Sequence, residues 1–133
     1  MTAYEALAQA HDEIKKISYR LEIGDEWNTL REMLSRGFDD CDGHATGCVQ
    51  RAWDLAPTPK PRLALILGEV REGRHAWVEM VTPEDGALWA DPTPGWPSAI
   101  EPPSWWTDHR MLYRLVYDGD MRDFPTVEEA TEA

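Results

Sequence analysis

Leu55-Ala56-Pro57-Thr58-Pro59-Lys60-Pro61, together with the run Arg62-Leu63-Ala64-Leu65-Ile66-Leu67-Gly68-Glu69-Val70, decides the fold class. Before the prolines the apolar residues recur at helical spacing. After them the pattern turns to period two, and Leu, Ile and Val dominate. Three prolines within five residues leave no backbone donors for a helix to continue on, so the two regimes are cleanly separated. Helices first and a sheet second predict an α+β domain, with N-terminal helices packed on a small antiparallel β-sheet.

Working back from that boundary, residues 40–55 predict a helix capped by Asp39 or Asp40 and stopped by Pro57. Residues 29–36 predict a short helix, with Thr29 and Glu32 as a capping box and Gly37 as its stop. Residues 2–23 predict a long amphipathic helix, with Tyr4, Leu7, Ile14, Ile17 and Leu21 as its apolar stripe. Thr2 and Glu5 form its capping box and Gly24 ends it.

Working forward, Arg71-Glu72-Gly73-Arg74 predicts a hairpin turn into a strand over 75–82. Pro83-Glu84-Asp85-Gly86 predicts a second turn into a strand over 87–91. Five prolines between positions 92 and 103 predict a loop, and a fourth strand follows over 111–117. The acidic residues 118–133 are expected to form a partly flexible tail. The 133 residues read as a single domain.

Composition narrows the function classes. The net charge is −12, which repels nucleic acid phosphates and argues against DNA or RNA as a partner. No apolar run approaches the roughly 20 residues of a membrane span. The start, Met1-Thr2-Ala3-Tyr4-Glu5, shows no basic stretch leading into an apolar core, so a cytoplasmic location is expected. The two cysteines, Cys41 and Cys48, are seven residues apart on one predicted helix. That separation is ~10 Å along the axis, too far for a disulfide.

Three polar segments stand at element ends: Gly37-Phe38-Asp39-Asp40-Cys41-Asp42-Gly43-His44-Ala45, then His75-Ala76-Trp77-Val78-Glu79, then Asp91-Pro92-Thr93. A thiol at a helix N-terminus is stabilised as thiolate by unpaired backbone N–H groups and the helix dipole. The strands bearing His75 and Asp91 are predicted to be antiparallel neighbours, which brings the two residues together. A carboxylate on one imidazole nitrogen fixes the tautomer and turns the other nitrogen to a thiol. Asp39, Asp40 and Asp42 act against the dipole and raise the Cys41 pKa unless they turn away to cap the helix or a cation neutralises them. Cys48, among Val49, Ala52 and Leu55, reads as a packing thiol.

Asp39-Asp40-Cys41-Asp42-Gly43-His44-Ala45 resembles the Gly-Asp-Cys-acid-acid-aromatic-Ala motif of the bacterial transglutaminase-like cysteine peptidases. Trp27-Asn28-Thr29-Leu30-Arg31-Glu32-Met33-Leu34 resembles their upstream segment. His75-Ala76-Trp77-Val78-Glu79 and Leu88-Trp89-Ala90-Asp91-Pro92-Thr93 resemble the His and Asp motifs of the wider transglutaminase-core superfamily. The resemblance spans positions 25–93 and departs from the pattern at Leu30, Asp39 and Gly43.

The resemblance implies a papain-like, transglutaminase-like fold. It implies a thiol-dependent amide or peptide hydrolase with Cys41 as nucleophile, His75 as base and Asp91 as orienter. Its partner would be a protein or peptide substrate. The Cys41 backbone N–H and a donor from Trp27 or Asn28 are the oxyanion candidates. Trp77, Trp96, Trp105 and Trp106 are candidate substrate contacts. In related periplasmic peptidases that trim adhesins, carboxylates around the Cys bind calcium. Asp40 and Asp42 match two of those positions and Gly43 removes a third, so no cofactor is expected, with Asp40 and Asp42 as the calcium candidates.

Two alternatives use the same residues differently. A deamidase or transglutaminase shares the acyl-thioester scheme and differs in leaving group and acceptor. A non-catalytic protein-binding module would use the Pro/Trp loop as an aromatic-lined groove. A zinc site from Cys41, His44 and Cys48 with His75 or His109 is disfavoured, because three ligands spread over two helical turns converge poorly.

Overall fold

The computed structural model describes residues 1–16, 18–19, 38–39, 41–70, 73–93, 100–103, 110–119 and 126–129. The first helix, α1, spans Ala3–Lys15. Its capping box forms as its sequence predicts: Glu5 N–H donates to Thr2 Oγ1 at 3.1 Å, and Thr2 N–H donates to Glu5 Oε1 at 2.8 Å. The helix ends well before Ile23. Ser18–Tyr19 (β1) leave it to pair in parallel with Phe38–Asp39 (β2), a long-range contact that periodicity does not carry. The predicted helix over 29–36, Gly24 and the stripe positions Ile17 and Leu21 lie outside the described residues. Tyr4 is exposed rather than part of the apolar stripe, whose members are Ala6, Leu7, Ala10, His11 and Ile14.

The second helix, α2, spans Cys41–Leu55, so Cys41 is its first residue, one place after the expected start. It packs along α1 and lies on the sheet. Glu13 and Arg51 tie the helices together, with Arg51 Nε donating to Oε2 at 2.7 Å and Nη2 to Oε1 at 3.3 Å.

The main sheet has five antiparallel strands in the order β5-β4-β3-β6-β7. They are β3 Arg62–Val70, β4 Gly73–Thr82, β5 Gly86–Ala90, β6 Arg110–Tyr117 and β7 Thr126–Glu129. The first four follow the sequence expectation. The fifth is an addition: Thr126–Glu129, in the acidic tail, pair with Tyr113–Val116 of β6. Thr82 pairs with Gly86 across the second turn, where Gly86 takes φ +67°, a left-handed conformation that glycine adopts without a Cβ clash. Within the predicted proline loop, Glu101 bridges Trp89 through two backbone hydrogen bonds of 2.8 and 3.1 Å. That bridge covers part of the open edge of β5.

The alternation of the strands sorts their side chains onto two faces. On one face Leu63, Leu65, Ala76, Val78, Met80, Leu88, Ala90, Leu115 and Tyr117 pack against Leu7, Ala10 and Ile14 of α1 and Ala45, Cys48, Val49 and Ala52 of α2. On the other face Ala64, Ile66, Trp77 and Trp89 form a second cluster with Met111 beside it. Glu79 is buried on this second face and is fully engaged. Its Oε2 accepts from Trp89 Nε1 at 2.9 Å, and Arg114 Nε donates to its Oε1 at 2.7 Å. Three strands are thereby stitched by one carboxylate.

Candidate active site

His75 lies near the start of β4 and Asp91 directly follows the end of β5. The register pairs Val78 with Ala90, so the two residues fall on the same side of the pleat, one rung apart on the diagonal. Both are buried, and His75 Nε2–H donates to Asp91 Oδ2 at 2.6 Å. The bond fixes the proton on Nε2, so a neutral His75 carries its basic lone pair on Nδ1. Asp91 is itself held: Thr93 N–H donates to its Oδ1 at 2.9 Å, and its backbone carbonyl accepts from His11 Nε2 at 3.1 Å. The structure thus brings His75 and Asp91 together in a buried hydrogen bond.

The direction of α2 follows from contacts at its far end. Trp53, in its last turn, meets the Tyr117 ring edge-on at 5.2 Å. Tyr117 pairs with Leu63, and Leu63 with Met80 at the far end of β4. The C-terminal turn of α2 thus sits over the end of the sheet remote from His75. The helix runs ~1.5 Å per residue back from there, so its first turn points toward the His75 end.

Cys48, midway along α2, is fully buried in the core. Burial pushes its thiol pKa far above the usual range, and the negative charge of Asp91 adds to the rise. It is a packing thiol, as its neighbours in the sequence imply. Trp77 is also fully buried. Its ring packs edge-on against Trp89 at 5.2 Å and lies stacked beside His75 at 6.3 Å. It takes this place because Gly68, across the strand pair, has no side chain; a Cβ there would fall 2.4 Å from the Trp77 ring. Trp77 is therefore part of the packing behind His75 and not an open substrate surface.

Trp27, Asn28, Asp40, Trp96, Trp105, Trp106 and His109 lie outside the described residues, and of Cys41 and Asp42 the helical backbone alone is described. One polar neighbour of the dyad was missed in the sequence reading: His11. It falls four residues after Leu7 and three before Ile14 on the buried stripe of α1, and its partner is eighty positions away.

No family model and no curated protein sequence matches the chain. Solved structures do. Calcium-bound LapG of Legionella pneumophila superposes with a TM-score of 0.71 at 18% identity, covering 84% of this chain and 64% of that one. EGTA-treated LapG gives 0.76 at 17% identity, covering 97% and 68%. A third LapG structure gives 0.72 at 16% identity, covering 91% and 71%. The chain thus spans less than two thirds of the calcium-bound LapG chain. At such identities the likeness is one of fold, and the fold of this chain is the transglutaminase-like α+β fold.

Proposed function

We infer that this chain is a thiol-dependent amide bond hydrolase acting on a protein or peptide. The observation that carries the reading is the buried His75–Asp91 bond of 2.6 Å at the end of the sheet toward which α2 directs its first residue, Cys41. The fold it shares with LapG, a transglutaminase-like cysteine protease, supports the same assignment.

The chemistry follows from the groups. His75 Nδ1 takes the Cys41 proton, and Asp91 stabilises the resulting imidazolium through Nε2–H. The helix dipole favours the thiolate at the first position of α2. The thiolate adds to the substrate carbonyl carbon, and the backbone N–H of Cys41 with a donor from Trp27 or Asn28 receives the oxyanion. His75 returns its proton to the leaving amine as the C–N bond breaks, leaving a thioester. Water, deprotonated by His75, then cleaves the thioester to acid and free thiol. Asp40 and Asp42 are the carboxylates a calcium ion would use beside Cys41, as suggested by the capture of LapG with calcium.

The test compares wild-type and Cys41→Ala protein in a cell lysate by mass spectrometry of protein termini and crosslinks. New termini that require Cys41 support the peptidase. Cys41-dependent isopeptide bonds, or Gln and Asn converted to acids, would move the assignment to transglutaminase or deamidase. No Cys41-dependent change would leave a binding module on the same fold.

A further inference from the structure

His11 is the one imidazole on the buried face of α1, amid Ala6, Leu7, Ala10 and Ile14. Packing alone asks for no polar atom there, and burying an imidazole costs free energy unless it is hydrogen-bonded. Its partner is specific. Nε2 lies 3.1 Å from the backbone carbonyl of Asp91, eighty positions along the chain. A carbonyl only accepts, so His11 Nε2 carries the proton and its tautomer is fixed. Asp91 is then gripped at three atoms: its carbonyl by His11, Oδ1 by Thr93 N–H and Oδ2 by His75. The same α1 is joined to α2 by the Glu13–Arg51 pair. One helix therefore holds both the segment that carries the dyad carboxylate and the helix that begins with Cys41.

Burial lowers the His11 pKa and keeps the ring neutral, while its bond to Asp91 pulls the other way. A neutral donor suits the position, since it leaves the Asp91 carboxylate charge to His75.

We propose that His11 is a positioning residue whose Nε2–H···O=C bond to Asp91 sets the carboxylate that orients His75. Its catalytic consequence rests on the hydrolase reading; its geometric consequence does not. Without the bond, the segment from Asp91 to Thr93 loses its tie to α1. The Oδ2–Nε2 bond then loses its fixed geometry, and His75 loses its fixed tautomer.

The experiment uses the full chain with four substitutions: His11→Leu, His11→Gln, His11→Asn and Thr2→Ala. In each, the thermal midpoint, the His75 Nε2–H proton resonance and the pH profile of Cys41 alkylation are measured. His11→Leu is expected to shift or broaden the His75 resonance and to slow alkylation by about tenfold, the scale of a modest misplacement of a catalytic group. His11→Gln, whose amide reaches the same carbonyl, should restore both. The shorter His11→Asn should not. Thr2→Ala frays α1 far from Asp91, so it should lower the midpoint and leave the His75 resonance in place. An unchanged resonance and alkylation profile in His11→Leu, with only a lowered midpoint, would overturn the proposal and leave His11 a packing residue. Should His11→Leu fail to fold, the Gln and Asn variants decide: both equal to wild type overturns it, while Gln retained and Asn lost supports it. If the resonance responds as expected but wild type shows no Cys41-dependent cleavage in lysate, the positioning role stands and the hydrolase reading falls.

Discussion

Cys48 and Cys41 share a helix and differ in what surrounds them. Cys48 is sealed in the core, and both burial and the charge of Asp91 oppose its thiolate. Cys41 begins α2, where the dipole favours the thiolate. Iodoacetamide at neutral pH is therefore expected to modify Cys41 in the folded protein and Cys48 only after unfolding, as read by peptide mapping. Labelling of Cys48 at the same rate would contradict its placement in the core. His11 supplies a second residue-scale prediction. Its folded pKa lies below the usual 6.5, and the charged groups facing it are Asp91, Lys15 and Asp12. Between the folded value and 6.5, the unfolded chain binds a proton that the folded chain does not. The His11 contribution is thus complete above 6.5 and is lost as pH falls through that window. Urea midpoints from about pH 7.5 to about pH 5.5 should fall more steeply in wild type than in His11→Gln, the difference cancelling the other histidines. At this scale His75 and Asp91 were legible because each stands in a short motif at a strand end. His11 was not, because a polar residue on a helical stripe gains its meaning only from a partner eighty residues away.

Among the elements, β4 depends on a residue of its neighbour. Gly68 pairs with His75 in the ladder, and its missing Cβ leaves room for the Trp77 ring; a Cβ would also approach the Arg110 carbonyl to 2.4 Å. Backbone cannot yield as a flexible side chain does, so Gly68→Ala must displace Trp77 or break the β3–β6 register. Overpacking of this kind costs about 1–3 kcal/mol. A lowered urea midpoint with a changed tryptophan emission spectrum is expected, and an unaltered spectrum at full stability would refute the crowding argument. The elements themselves were legible where local signals agreed. The prolines at 57, 59 and 61 and the alternation after them place the end of α2 and the whole of β3. The end of α1 was not legible, because apolar residues continue at helical spacing while Ser18–Tyr19 are drawn into pairing with Phe38–Asp39. Nor was β7: Thr126 and Val127 favour a strand, but two residues followed by Glu128 and Glu129 are too short a signal, and the segment is a strand because β6 offers it an edge.

Over the whole molecule the charge balance is the property most open to test. Twenty-five acidic side chains stand against thirteen basic ones, and several of the basic groups are already committed. Arg51 is paired with Glu13, Arg114 with Glu79, and Lys60 donates to the carbonyls of Trp53 and Ala56 at the end of α2. The field outside the molecule is therefore negative, and it attracts basic molecules and repels acidic ones. Under the hydrolase reading this acts on encounter and binding, not on the thioester chemistry at the buried dyad. Raising ionic strength from about 0.01 M to about 0.1 M shortens the screening length from roughly 30 Å to roughly 10 Å. For a Lys/Arg-rich peptide substrate, KM is expected to rise across that range with kcat nearly constant. For an Asp/Glu-rich peptide of the same length, KM should fall. The pair of peptides separates the long-range field from any general effect of salt on the fold, since a fold effect would move both in the same direction. A salt-independent KM for both would mean that the net charge plays no part in choosing the substrate, and that selection lies in local contacts at the cleft.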